Sequence, residues 1–252
     1  MEQCEATVVA RLEAMPGIWQ LYLRAASLAR AAQPGQFVMA LRAGGYDPYL
    51  RCAVSLHKIG SDTFAFLLDA DTAAHAPLLA RGIGEAIDLL GPFGRGFAIA
   101  PRTRDVLLVA EGMGIGPLVA LAEQSAVAGR RVTLLAVADA RGRLYPTELL
   151  PRDVEYHGLL PEAATDFAML LRHSLAWADQ VCAAGSWAFY RTLHTALQDD
   201  PVRARPGFVQ VWHSPVVACG LGVCRACAIQ TRRGILRACT DGPVFDLMDL
   251  LG

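Results

Sequence analysis

An antiparallel β-barrel, a parallel α/β unit and a small cysteine-bearing tail, an all-β part joined to an α/β part, make up the architecture this chain predicts. Three observations carry the prediction. Up to about residue 98, short alternating stretches are cut by turn signals. From Arg104 the pattern changes to fully apolar strands alternating with helix-like runs, as expected of parallel strands buried on both faces. Near the C-terminus, Cys219, Cys224, Cys227 and Cys239 fall into a C-x4-C-x2-C-x11-C spacing.

Length and composition fit this division. A chain of 252 residues that is 54% hydrophobic and 19% charged can bury a large core, which excludes disorder. The expected segments are a barrel at 1–100, a nucleotide-binding type of α/β domain at 101–205 and a cluster-binding subdomain at 206–252. Net charge is −1 and no basic stripe is present, so neither nucleic acid nor an acidic membrane surface is an expected partner. The N-terminus carries early charges without an apolar signal-peptide core, and no apolar run reaches the ~18 to 20 residues of a membrane span, so a cytoplasmic location is expected.

In the first segment the strand-like stretches are ATVVARLEA, IWQLYLRA, FVMALR, LRCAVSLHKI and TFAFLLDA, separated by MPG, QPGQ, GGYDP and GSD turns. The second segment opens with the apolar strand DVLLVA, then the turn EGMGIG, a helix-like PLVALAEQSAVAG, the strand VTLLAVA, and later DQVCAAG followed by the helix-like WAFYRTLHTALQ. QDDPVRARPG closes this unit, and FVQVW leads into the cysteine loop. The turn is the first chemical signal. Gly112 and Gly114 let backbone approach a pyrophosphate, and Pro117 suits a helix's first turn, whose N-terminus attracts negative charge. A glycine turn that simply packs against a neighbouring strand has the same sequence. Glu111 opposes a phosphate unless its side chain turns away.

The cysteine spacing is that of plant-type ferredoxins, in which four thiolates hold a [2Fe–2S] cluster. Gly220 and Gly222 lie between the first ligands, where residues without a Cβ let the loop bend around a cluster. Zinc prefers two separated C-x2-C pairs, and only Cys224 and Cys227 make one here; zinc and disulfides remain the alternatives. Cys4, Cys52 and Cys182 are widely spaced, as reduced thiols are, and Cys182 in QVCAAG reads as a core residue.

The stretch ACGLGVCRACAIQ through CTDGPVF, supported by PGQFVMAL and LLGPFGRGF, resembles the electron-transfer subunit of the NAD-linked heterodimeric dihydroorotate dehydrogenases, a branch of the ferredoxin–NADP reductase superfamily. The resemblance covers nearly the whole chain. It implies an oxidoreductase subunit of pyrimidine biosynthesis that carries FAD and one [2Fe–2S] cluster. Such a subunit takes hydride from NAD(P)H and passes single electrons to an FMN-containing catalytic partner, in a heterotetramer. By that resemblance Cys219, Cys224, Cys227 and Cys239 are the cluster ligands. Arg51, Cys52, Ala53, Val54, Ser55, Phe66, Leu67, Leu68 and Thr72 fall on the FAD motifs, and Gly112, Gly114 and Pro117 on the NAD turn. The final electron acceptor is less fixed, because subunits of hydrogenase, sulfite-reductase and bifurcating complexes share the DGPVF ending.

The chain departs from the family at the flavin. The R-P-x-S motif aligns on Cys52, Ala53, Val54 and Ser55, so Cys stands at the pyrophosphate-binding Arg. A second expected Arg is Leu67, and Asp69 and Asp71 replace the glycines of the following turn. The Cys-Gly-Pro of the nicotinamide side reads Ala184, Gly185, Ser186, and the lead-in to the cluster reads Trp212, His213, Ser214, Pro215. Two readings therefore stay open: a divergent subunit holding FAD through backbone amides and GPFGRGF, and a reductase-like scaffold that keeps only the cluster. No catalytic nucleophile is expected. His57, His75, His157, His173, His194 and His213 form no metal-spaced set, with His213 alone close enough to Cys219 in sequence to donate to a cluster. Trp19, Trp177, Trp187 and Trp212 read as core, with Trp187 and Phe189 as candidate pocket walls. Arg225, Arg232 and Arg233 rim the cysteine loop.

Overall fold

A computed structural model describes residues 1–41, 50–198, 203, 205–213 and 216–251. The GGYDP turn, half of QDDPVRARPG and the pair Ser214 and Pro215 lie outside the described residues.

The first segment contains β1 (Glu2–Met15), β2 (Ile18–Arg24), α1 (Ala26–Ala31), β3 (Phe37–Ala40), β4 (Cys52–Ser55), β5 (Lys58–Ile59), β6 (Thr63–Asp69), α2 (Ala76–Leu79) and β7 (Ala86–Phe93). The strands form one seven-stranded antiparallel sheet in the order β4-β3-β7-β1-β2-β6-β5. Its edge strands, β4 and β5, are consecutive in the chain with only Leu56 and His57 between them, so the sheet curls until its edges meet. Inside sits a core of Val8, Leu21, Leu23, Val38, Val54, Phe64, Phe66, Leu68, Ile87 and Leu89, the inward half of each strand's alternation.

The second unit begins at β8 (Asp105–Glu111). α3 (Gly116–Val127), β9 (Arg131–Val137), β10 (Val154–Leu159), α4 (Ala164–Trp177), β11 (Gln180–Ala184), α5 (Trp187–Gln198) and β12 (Val209–Trp212) follow. β13 (Ala228–Thr231) and β14 (Gly234–Arg237) form a hairpin, and β15 (Val244–Asp246) and α6 (Leu247–Leu251) end the described chain. The six-stranded sheet runs β10-β9-β8-β11-β12-β15, parallel except for β15. Both faces are covered. Val106, Leu108, Val132, Leu134 and Cys182 meet α3, while Leu107, Val109, Leu135, Val181 and Ala183 meet α4 and α5. Burial raises the thiol pKa of Cys182, consistent with the core role expected for it.

One boundary moves. FVQVW was expected to open the cluster segment at 206–252, but β12 pairs in parallel with β11, and β15 adds to β12 antiparallel. The cysteine loop is therefore inserted between the last two strands of the α/β sheet. A run of four residues carries no sign of its pairing partner, which is why sequence alone placed it with its neighbour.

A buried polar cluster ties the two units together. Gln20 of β2 donates from Nε2 to Tyr145 Oη at 2.6 Å, and His57 Nε2 lies 2.9 Å from the same hydroxyl. His57 Nδ1 lies 2.9 Å from the Gly116 carbonyl, an acceptor, so Nδ1 carries the proton and Nε2 accepts. His57 and Gln20 are fully buried. Burial foremost holds the His57 pKa down at about 3, with the charge of Lys58 adding to the effect against the opposing Gly116 hydrogen bond.

Candidate functional site

The cysteine loop packs on the outer face of the barrel at β3 and β7, against Phe37, Met39 and Phe93. Gly220 and Gly222 adopt φ of 71° and 74°, a conformation natural to glycine, and Arg225 is held at φ 58° beside the exposed Cys224. Gly220 lies against the barrel so closely that a Cβ there would come 3.1 Å from Phe93 and 3.2 Å from Met39. None of the seven cysteines is joined in a disulfide. Cys227 and Cys239 are buried with sulfurs 3.2 Å apart, while Cys219 and Cys224 are hydrogen-bonded to each other. The four thiols thus come as two pairs, the grouping that two irons with two protein ligands each demand. Among the described residues no three His, Cys, Asp or Glu side chains converge on a position for one metal ion.

Backbone donors support thiolate character. The N–H of Cys224 foremost, and those of Leu221 and Val223, lower the Cys219 pKa to about 6. Leu221 N donates to Cys219 Sγ at 3.3 Å, and Ala226 N to Cys224 Sγ at 3.5 Å. Buried Thr240 Oγ1, adjacent to Cys239, has no protein partner, a hydroxyl that an inorganic sulfide would satisfy. The donor set fits an iron–sulfur cluster. His213, expected as a candidate donor, instead packs its ring 5.4 Å from that of Trp187.

The second feature is a crevice at the carboxyl ends of the parallel strands. Strand order reverses between β8 and β11, and ligands of open α/β sheets bind outside such a switch point. A cavity of about 290 Å³ there is lined by Ala53, Val54 and Ser55 of β4, Leu67 of β6, His75, the turn residues Glu111, Met113, Gly114 and Pro117, and Gly185 and Trp212. A second cavity of about 540 Å³ shares Glu111 and Met113 and adds Gly112, Asp69, Asp139 and Arg143.

The expected residues divide over this ground. Ala53, Val54, Ser55, Leu67, Gly114 and Pro117 line the first cavity, and Gly112 lines the second. Arg51 does not reach either: its guanidinium pairs with Asp88 of β7 at 2.8 Å and donates to the Asp88 carbonyl. Phe66 and Leu68 are barrel core, half-buried Cys52 packs against that core, and exposed Thr72 donates to the Asp69 carbonyl. GPFGRGF serves another purpose. Arg95 N donates to the Gly242 carbonyl and Gln36 Nε2 to the Gly94 carbonyl, so this stretch clasps the barrel to the end of the cysteine loop. Phe189 is on the buried face of α5 and Trp187 packs toward the cluster segment. Neither lines the two cavities.

As a flavin site the first cavity has the small side chains a flat ring needs, and no Lys or Arg is among its lining residues. Gly185, on the expected nicotinamide-side motif, lines the first cavity, while His75, Arg143, Asp139 and Trp212 carried no signal as lining residues. His75 Nδ1 accepts from Asp69 N at 3.0 Å, and burial lowers its pKa. His75, Asp139 and Arg143 share only a place in a loop that follows a strand, and Trp212 ends β12.

Known proteins share this construction. Residues 215–251 match the family model described as the iron–sulfur cluster binding domain of dihydroorotate dehydrogenase B. A solved NADH-dependent reduced ferredoxin–NADP oxidoreductase superposes with a TM-score of 0.81 at 20% identity, covering 97% of this chain and 89% of that one. Phthalate dioxygenase reductase superposes at 0.64 with 17% identity, covering 94% and 77%. The fold is that of the ferredoxin reductases. Over nearly its whole length the chain is also similar to electron transfer subunits of dihydroorotate dehydrogenase B. It is 28% identical to that of Desulforamulus reducens, with 96% of this chain and 95% of that subunit aligned, and 29% identical to that of Geobacillus thermodenitrificans, with 95% of each aligned.

Within this reductase fold, Gly114 sets how closely the turn meets β11. A Cβ there would lie 2.1 Å from the Ala184 carbonyl oxygen, backbone that cannot rotate away. Gly114→Ala is expected to lower stability by about 2 to 3 kcal/mol, as overpacking does. Urea denaturation reads the loss.

Proposed function

We propose that this chain is the electron-transfer subunit of a dihydroorotate dehydrogenase of pyrimidine biosynthesis, acting in the cytoplasm. In this reading NAD(H) meets the second cavity and the turn at Gly112, Gly114 and Pro117. FAD lies at Ala53, Val54, Ser55 and Leu67, and Cys219, Cys224, Cys227 and Cys239 hold a [2Fe–2S] cluster. The partner is an FMN-containing catalytic subunit in a heterotetramer. The observation that carries the reading is the wall shared by crevice and cluster loop. Ala53 lines the first cavity and pairs across the sheet with Met39, and Met39 is in turn the side chain against which Gly220 is pressed. A flavin, when bound, converts the two electrons of a hydride into the single electrons a cluster accepts. The chain's own residues set the spacing and exclude water: Phe37, Met39, Phe93, Val217 and Phe245 pack around Cys227 and Cys239.

The outer side of the loop suits a partner. Leu221, Val223 and Val216 are 50%, 79% and 82% exposed, and Cys224, Arg225 and Arg232 are exposed in the same segment. An apolar patch rimmed by charge marks an interaction surface.

A second reading, the scaffold that keeps only the cluster, is favoured by Cys52 and Leu67 standing where arginines were expected. Metal analysis and a visible spectrum of the purified chain separate the two. Iron and yellow flavin in comparable amounts, with cluster reduction by NADH, are the expected result. Iron without flavin and without reduction by NADH would leave the scaffold, and zinc in place of iron would overturn both.

A further inference from the structure

Glu111 ends β8 and, with Met113, borders both cavities. Its Oε2 accepts the Ser186 N–H at 2.7 Å, so the carboxylate spans from β8 to the start of α5 across the strand switch point. The other oxygen is not used in that bond. Arg143, the cation that borders the second cavity, is already paired with Asp69 at 3.0 Å and Asp71 at 3.4 Å, and Glu111 has no ion pair among the described residues. Asp139 adds a further carboxylate to the second cavity. The meeting point of the two cavities is therefore negative and its nearest carboxylate uncompensated.

Such a site distinguishes the two redox states of a nicotinamide. The oxidised ring is a pyridinium with a positive charge; the reduced ring is a neutral dihydropyridine. Resting on the dinucleotide reading above, we propose that Glu111 selects the cationic ring, so that the crevice holds the oxidised nicotinamide more tightly than the reduced one. Tighter binding of the oxidised form makes the bound pair a stronger reductant. A bound flavin would supply the two-electron acceptor for the hydride, that is, the hydrogen and electron pair of the dihydropyridine C4–H bond, and Glu111 would balance the positive charge left on the ring. The carboxylate thus biases the chain toward taking electrons from the nucleotide.

The test uses the full chain with its co-purified partner and probes that carry no phosphate. Binding of 1-methylnicotinamide cation and of neutral nicotinamide is followed by the fluorescence of Trp212, which lines the first cavity. The cation is expected to bind about tenfold more tightly, the effect of roughly 1.4 kcal/mol of charge attraction. Glu111→Gln, which keeps an acceptor for the Ser186 N–H, should remove that preference. It should also weaken NAD+ about tenfold while changing NADH less than about twofold. Dinucleotides that bind without charge discrimination overturn this proposal and leave the proposed function standing. Cation preference in a protein that binds neither NAD+ nor NADH upholds the charge selection and overturns the dinucleotide reading. Equal binding of both small probes to the parent protein overturns the proposal whatever the variant does.

Discussion

Cys227→Ser is expected to abolish the visible chromophore and most of the bound iron. Cys227 and Cys239 are 4% and 1% exposed, with sulfurs 3.2 Å apart in a core of Phe37, Met39, Phe93, Val217, Ile229, Ala238 and Phe245. In the proposed function Cys227 is a cluster ligand, and serine replaces its thiolate by a hydroxyl with no ready partner in this apolar surround. That unmet hydroxyl costs about 1 to 3 kcal/mol by itself. Loss of the metal adds to it, because binding free energy of a structural metal group is folding free energy. The loop from Cys219 to Cys239 lies between β12 and β15, so its loosening should also free the last strand of the α/β sheet. Cys182→Ser is the control. It places a hydroxyl in the fully buried sheet core and lowers thermal stability, but it should leave the iron content unchanged. Iron and sulfide analysis with thermal melts of the three proteins checks this. Full iron in Cys227→Ser, or equal iron loss in Cys182→Ser, would remove the assigned ligand set.

The cysteine-bearing segment and the parallel unit were legible for the same reason: both are written in short-range spacing. Ligand spacing and a glycine-bearing loop are local, and a strand such as Asp105–Glu111 buried on both faces needs no partner to be recognised. Long-range pairing was not legible. Nothing in PGQFVMAL or LLGPFGRGF shows that Arg95 would hydrogen-bond to Gly242, or that Arg51 would be spent on Asp88. Glu111 looked unfavourable beside a phosphate, and only the structure shows it turned to the Ser186 N–H. His57 was read as one of six unremarkable histidines, although its place directly after the buried Leu56 in the run AVSLH was a usable signal. The crevice is legible least, because a cavity wall of Ala53, Val54 and Leu67 leaves a weak imprint once the expected arginines are gone.

His57 is expected to make the protein acid-sensitive. Its imidazole is neutral in the folded state, with a pKa held at about 3 by burial, whereas the unfolded chain has the ordinary value of about 6.5. Above pH ~6.5 neither state binds this proton and stability is full; below it the unfolded chain binds the proton and the folded one does not. Stability therefore falls with decreasing pH, by up to about 1.4 kcal/mol per unit, until pH approaches 3. Protonation would place two donors, His57 Nε2 and Gln20 Nε2, 3.2 Å apart in a closed space, with Lys58 next in the chain. Glu123, which faces this region, is committed to Lys58 at 2.7 Å. His57→Gln carries no proton to gain. It should be less stable than the parent near neutrality by about 1 to 2 kcal/mol, from imperfect bonds to Gly116 and Tyr145, and its deficit should shrink and reverse as the pH is lowered. Urea midpoints from pH 7.5 to 4.5 give the comparison, in which slopes from surface carboxylates are common to both proteins and cancel. Parallel curves would mean that His57 is not held neutral. Because its Nδ1 fixes the Gly116 carbonyl at the start of α3, directly after the Gly112 to Gly114 turn, acid loosening of this contact should weaken the crevice before the rest of the barrel.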